Sequence, residues 1–240
     1  MSDAQARQPN QPNYNLSDYQ EMAFDAWLAH MARQWRQGEH VAIIGPTGRG
    51  KTTLARSLLP IRDYVCVLAV KRHDDTLDTY PKQGYKVVTH WPPMYSQRHV
   101  VYWSRPKTLS DLMNQRDLVM KALEQLYLAG GWCVCFDDLS YVCDQLRIKT
   151  PVVTFLNQGR SSGISAVCCC TRPRKVPTEA FNQASIIICF RYMDKREVWR
   201  CAEIAGISPK AMEYLMSKLG ARDFLVFGND ESIVLVRQGK

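Results

Sequence analysis

The chain lacks any apolar run approaching the roughly 18–20 residues that a membrane-spanning helix needs. Its first residues, MSDAQARQPNQPNYN, lack the charged-then-apolar order of an export signal. The expectation is a cytoplasmic protein, in the host cytoplasm if it is viral, with no membrane partner. Cys-x-x-Cys pairs are missing too, so the nine cysteines do not read as a zinc site. Nor do they read as a disulfide framework. Cys66, Cys133, Cys135, Cys168, Cys169, Cys170 and Cys189 sit inside apolar runs, where a free thiol behaves as a small hydrophobe. Internal repeats are absent. Acids are in deficit, 23 Asp and Glu against 31 Lys and Arg, giving a formal net charge of +8. Such a balance favours polyanion partners, nucleic acid first among them.

What is present suits one large domain. The chain has 240 residues, 46% of them hydrophobic. Residues 1–16, rich in Gln, Asn and Pro, read as a disordered arm. Residues 17–240 read as a single domain, with a core over about 38–200 and a C-terminal helix and hairpin in 201–240. Ser17 and Gln20 fit a capping box that opens a helix. Met22, Ala23, Trp27, Met31 and Trp35 recur at helical spacing behind it, and Gly38 ends it. SDLMNQRDLVMKALEQLYLAG (110–130) predicts a helix with Ser110 as its N-cap. TPVVTFLNQGR (150–160) predicts another.

VAIIG (41–45), YVCVLAVK (64–71), KVVTH (86–90), HVVYW (99–103), WCVCF (132–136), ISAVCCCT (164–171) and SIIICF (185–190) predict strands. DFLVF and SIVLV flank GNDE as a hairpin. Apolar β-branched runs alternating with helices predict an α/β fold, a mainly parallel sheet covered on both faces.

Gly45-Pro46-Thr47-Gly48-Arg49-Gly50-Lys51-Thr52 matches G-x-x-x-x-G-K-[ST], after an apolar strand and before a helix that continues with Thr53. The glycines let backbone N–H groups wrap a phosphate chain, and the helix N-terminus adds its positive pole. Lys51 is expected on the β- and γ-phosphates, and the Thr52 hydroxyl on Mg²⁺. Phe136-Asp137-Asp138 ends the WCVC run. Asp137 is placed to hold Mg²⁺ directly or through water, and Asp138 to orient and polarise the attacking water.

An acid directly after the Mg²⁺ acid resembles the additional-strand, catalytic-glutamate branch of P-loop NTPases. Within it the chain resembles the FtsK–HerA superfamily of DNA-pumping ATPases, above all the compact viral and phage genome-packaging motors. GPTGRGKT (45–52), VCVLAVKRHDD (65–75), VCFDDLSYV (134–142) and GRSSGISAVCCCTRPRKVP (159–177) carry the resemblance, which covers roughly residues 38–200. One departure is plain. The family usually has Glu where this chain has Asp138, and Asp144 is the neighbouring alternative.

The resemblance implies ATP as the nucleotide, consistent with the missing N/T-K-x-D guanine signature. It implies that Thr171, at the tip of the strand beside the Asp137 strand, senses the γ-phosphate. It implies that Arg160 acts in trans on a neighbouring subunit's nucleotide, with Arg172 and Arg174 as rivals. Cys168–Cys170 then become the buried body of a strand.

Lys71 and Arg72 fall where the family projects loops into a ring channel. Lys82, Arg98 and Arg105 lie among Tyr85, Tyr95 and Trp103, and basic groups among aromatics suit tracking of a nucleic-acid backbone. The expected function is ATP-driven translocation of double-stranded DNA, sequence-nonspecific and salt-dependent, by a homo-oligomeric ring on a portal-like partner. The alternatives are a conjugation- or repair-type pump, and an ATP-dependent assembly switch with little turnover. A small-molecule kinase is disfavoured by the Asp137–Asp138 pair.

Overall fold

The computed structural model describes residues 19–72, 77–90, 97–230 and 232–239. The arm expected over 1–16, Ser17, His73 and Tyr95 lie outside these residues. Among the described residues the apolar runs become the strands β1 (Gln20–Ala23), β2 (His40–Ile44), β3 (Val65–Ala69), β4 (Lys86–Val88) and β5 (His99–Trp103), then β6 (Cys133–Phe136), β7 (Ser165–Cys170), β8 (Ala184–Phe190), β9 (Phe224–Gly228) and β10 (Ile233–Arg237). Between them run α1 (Phe24–Gln34), α2 (Lys51–Leu58), α3 (Leu112–Ala129), α4 (Lys149–Gly159), α5 (Glu179–Asn182), α6 (Lys195–Ala205) and α7 (Pro209–Ser217).

All ten strands form one sheet in the order β1-β10-β9-β8-β2-β7-β6-β3-β5-β4. Pairing is parallel except for β8–β9 and β9–β10. β7 lies between β2 and β6, in register Ile44↔Cys170 and Phe136↔Cys168. The strand that leads into the phosphate motif, β2, and the strand that ends in the paired acids, β6, are therefore separated by one added strand, β7, as expected.

Side chains alternate across the sheet, because the strand period is two. Ala42, Ile44, Val134, Phe136, Cys168 and Cys170 pack with α3, α4, α6 and α7 on one face. Val41, Ile43, Cys133, Cys135, Val167 and Cys169 pack with α1 and α2 on the other. The three consecutive cysteines thus fill both cores, with Cys169 pointing opposite to its neighbours. All nine cysteines are buried.

Three local expectations are corrected. The first helix starts at Phe24, not after Ser17. Gln20–Ala23 pair in parallel with Val234–Arg237 instead, and this pairing satisfies backbone groups that an open β10 edge would expose. Trp27, Met31 and Trp35 are buried as the helical stripe predicted. In α3 the cap position falls to Asp111, preceded by a single tight turn at Leu109–Asp111. Its carboxylate accepts N–H bonds from Lys107 and Thr108 at 2.7 and 2.9 Å.

Finally, two helices, α6 and α7, run over Lys195–Ser217, where one was expected in 201–240. Gly206 ends α6 at a φ of +69°, and Ser208 caps α7 by accepting the Ala211 N–H, with Pro209 as its first residue.

Candidate nucleotide site

In a parallel sheet with crossover helices, ligands collect beyond the carboxyl ends of the strands. Here the tips of β2, β3, β6 and β7 meet at one such edge. Gly45 leaves β2 by donating its N–H to the Cys170 carbonyl at 3.1 Å, so the loop starts against the tip of β7. A Cβ at Gly45 would stand 2.8 Å from the Phe190 Cβ, which leaves room only for hydrogen. Gly48 and Gly50 take φ values of +80° and +101°, the left-handed region that glycine occupies without cost. A Cβ at either would meet nothing within 4 Å, so this backbone borders open space.

That space is a cavity of about 340 Å³. Thr47, Gly48, Gly50, Lys51, Thr52 and Thr53 line one wall, and Lys71, Asp137, Asp138 and Thr171 the other. Lys51 opens α2 and donates from Nζ to the Pro46 carbonyl at 3.0 Å. Burial lowers its pKa from the ordinary lysine value. Arg49 turns away and donates to the Ala221 carbonyl at 3.2 Å, tying the loop to the segment before β9.

Thr52 donates from Oγ1 to Asp137 Oδ1 at 2.7 Å. Lys71 Nζ holds the other oxygen, Oδ2, at 3.2 Å, and the Asp137 side chain is only 6% exposed. Asp138 Oδ1 accepts the Tyr141 N–H at 3.0 Å. Two hard oxygen donors side by side, one of them a buried carboxylate, suit Mg²⁺, with Lys71 as the competitor for the carboxylate's charge. Thr52 and Asp137 would hold that ion, which when bound would neutralise charge on the phosphates. Asp144 is exposed on the π-helical turn Tyr141–Gln145, whose Val142 and Cys143 are buried, and does not line the cavity, which leaves Asp138 as the second acid there.

The remaining expected residues are distributed unequally. Thr171 follows β7 and reaches the cavity. Arg172 and Arg174 are exposed just beyond it. Arg160 precedes β7 and therefore lies at the opposite edge of the sheet, about 20 Å away along the six-residue strand. It cannot serve the nucleotide cavity of its own chain.

The expected DNA contacts split likewise. Lys71, Arg72 and Arg105 follow β3 and β5 at the cavity edge, whereas Lys82 and Arg98 precede β4 and β5 at the other. Lys71 puts its amine on Asp137, because β3 and β6 are neighbours that end within one residue of each other. Tyr85, expected among exposed aromatics, is buried against Tyr80 and His99, with ring centroids 5.2 and 4.8 Å away. It builds core, not a stacking platform. Sequence reading missed the Lys71–Asp137 pair. Its signal was a lysine directly after the strand next to the acid strand.

No protein-family model and no curated protein matches this sequence. Solved structures do match. The genome packaging NTPase B204 from Sulfolobus turreted icosahedral virus 2, in complex with sulfate, aligns with a TM-score of 0.61 at 16% identity, over 84% of this chain and 97% of that one. B204 from Sulfolobus Turreted Icosahedral Virus, a DNA-packaging ATPase, aligns at 0.59 and 22% identity over 85% and 100%. The pCW3 conjugation coupling protein TcpA aligns at 0.51 and 17% identity, over 83% of this chain and 59% of that one. The fold is that of an α/β P-loop NTPase with the added strand.

Proposed function

We propose that this chain is an ATP-hydrolysing translocase of double-stranded DNA, a subunit of a viral genome-packaging motor that works as a ring. The observation that carries the reading is the juxtaposition of Thr52, Asp137 and Asp138 across the glycine loop, in a sheet whose β7 separates β2 from β6. That arrangement suits phosphoryl transfer to water: the loop and Lys51 hold the phosphates, and Asp138 orients and deprotonates the attacking water. The viral packaging ATPases that share the fold are nearly coextensive with this chain, which supports the packaging assignment over larger pumps.

The position of Arg160 supports the ring. A guanidinium a strand's length from its own cavity can neutralise phosphoryl oxygens only in a neighbour's. The basic residues at both edges of the sheet, with the net charge of +8, supply the attraction for a DNA backbone. A portal-like protein would anchor the ring. The second reading is an assembly switch with little turnover, which rests on Asp138 standing where glutamate is usual.

The deciding experiment measures ATP hydrolysis with duplex DNA across a salt series, alongside solution mass. Stimulation that fades with salt and a multi-subunit mass are expected. No stimulation at low salt would sink the translocase reading.

A further inference from the structure

The nucleotide cavity shares Lys71 with a second cavity of about 410 Å³ at the same sheet edge. Arg72, Pro106 and Lys107 border it, and Gln115 and Tyr141 line it. Arg72 and Lys107 are exposed, whereas Gln115 is 1% exposed.

Gln115 is a junction. Its Nε2 donates to the Val70 carbonyl and to Ser104 Oγ, both at 2.7 Å. Its Oε1 accepts from the Tyr141 hydroxyl at 2.8 Å. Tyr141 in turn gives its backbone N–H to Asp138 Oδ1. Val70 precedes Lys71, whose amine lies on Asp137. One turn before Gln115, at the N-cap of the same helix, Asp111 fixes the backbone of Lys107 and Thr108. The basic rim, the end of β3 and both acids are therefore joined through one buried amide. A buried polar group is retained at a cost in desolvation, and a fully satisfied network fixes relative positions where an apolar side chain would only fill space.

We propose that Gln115 and Tyr141 are positioning residues that carry occupancy of this rim by a duplex DNA phosphodiester to the carboxylate of Asp138. A phosphate drawn between Arg72 and Lys107 shifts the segments that carry them. Gln115 holds one of these segments by the Val70 carbonyl and shares α3 with the Asp111 clamp on the other, so the shift reaches the Tyr141 hydroxyl and the N–H on Asp138. Hydrolysis then runs fastest with DNA in place. The inference rests on the translocase reading and adds the route by which DNA sets the rate.

The test compares wild type, Tyr141→Phe and Gln115→Met for ATP hydrolysis with and without a saturating mixed-sequence duplex. Duplex affinity and thermal midpoint are measured alongside. Both variants are expected to bind the duplex with wild-type affinity while the ratio of stimulated to unstimulated rate collapses toward one. A wild-type ratio in both variants overturns the inference. Should Gln115→Met fail to fold, Tyr141→Phe, which keeps the ring and removes one hydroxyl, decides alone. A wild type that DNA does not stimulate overturns the translocase reading itself, and the inference with it.

Discussion

Thr52 and Asp137, 85 residues apart in sequence, are joined by a 2.7 Å hydrogen bond that links the first turn of α2 to the tip of β6. The bond sets two oxygens where a triphosphate-bound divalent cation would need them. Asp137→Asn removes the charge and keeps the shape. It is expected to lower the hydrolysis rate by about two orders of magnitude, with the fold retained by circular dichroism. A rate near wild type would remove Asp137 from the site.

Asp138 is expected to act on water and not on nucleotide binding. Asp138→Asn should therefore cut turnover by roughly 10²–10⁴-fold while a fluorescent ATP analogue binds as before. Asp138→Glu should keep activity, because the longer carboxylate does the same chemistry. An inactive glutamate variant would count against the assignment.

The placement of Arg160 at the far edge of the sheet gives a sharper test than its removal alone. Arg160→Ala and Lys51→Ala should each abolish hydrolysis. Mixed together, the two inactive proteins should regain activity, since a Lys51→Ala subunit still offers Arg160 to a neighbour whose phosphate loop is intact. No recovery on mixing would rule out action between subunits.

His40 supplies a pH dependence. Its ring is 1% exposed, Nδ1 accepts the Ala166 N–H at 3.0 Å, and Nε2 donates to the Leu156 carbonyl at 3.0 Å. This fixes the neutral form, and burial holds its pKa below the ordinary 6.5. The unfolded chain therefore takes up the proton first as pH falls. Stability is full above about 6.5 and is lost below it, with a slope of up to about 1.4 kcal/mol per pH unit. The thermal midpoint should fall between roughly pH 7 and pH 5, and His40→Gln should flatten that fall. An unchanged slope in the variant would assign the effect to another group.

Cys169 tests the opposite idea, that the thiols are inert filler. It is fully buried among the side chains under α1 and α2. Cys169→Ala should cost about 1–2 kcal/mol in denaturant unfolding and leave the hydrolysis rate unchanged.

Much of this site was legible in the sequence because its determinants are local. The glycine loop needs residues next to one another, and the acids announce themselves at the end of an apolar run. The strand pattern also foretold β7 and its neighbours, since buried parallel strands read as continuous apolar runs. Other features depend on partners far along the chain. Gln20–Ala23 carries no strand signal of its own and becomes one only because β10 offers a free edge. Tyr85 sits in a basic, aromatic segment that resembles a binding surface, yet Tyr80 and His99 take it into the core. Lys71 was read as a projecting cation because nothing nearby in sequence reveals Asp137 beside it. The break between α6 and α7 was readable, however: Gly206, Ser208 and Pro209 spell a stop and a start.

The parallel pairing of β1 with β10 has a consequence for how the molecule comes to be made. Arg237 clamps that pair, reaching Glu21 at 2.9 Å and Asp223 at 2.8 Å. A strand beginning at Gln20 thus finds its partner only in Val234–Arg237, almost the whole described chain later. Loop closure over such a distance is slow, and it cannot begin on the ribosome until Val234–Arg237 has been made. The nucleotide cradle, built from β2 through β7, can take shape before the sheet is sealed. The sealing of its far margin is therefore a late step, and a chain cut before Val234 would keep the cradle while leaving an open, adhesive edge.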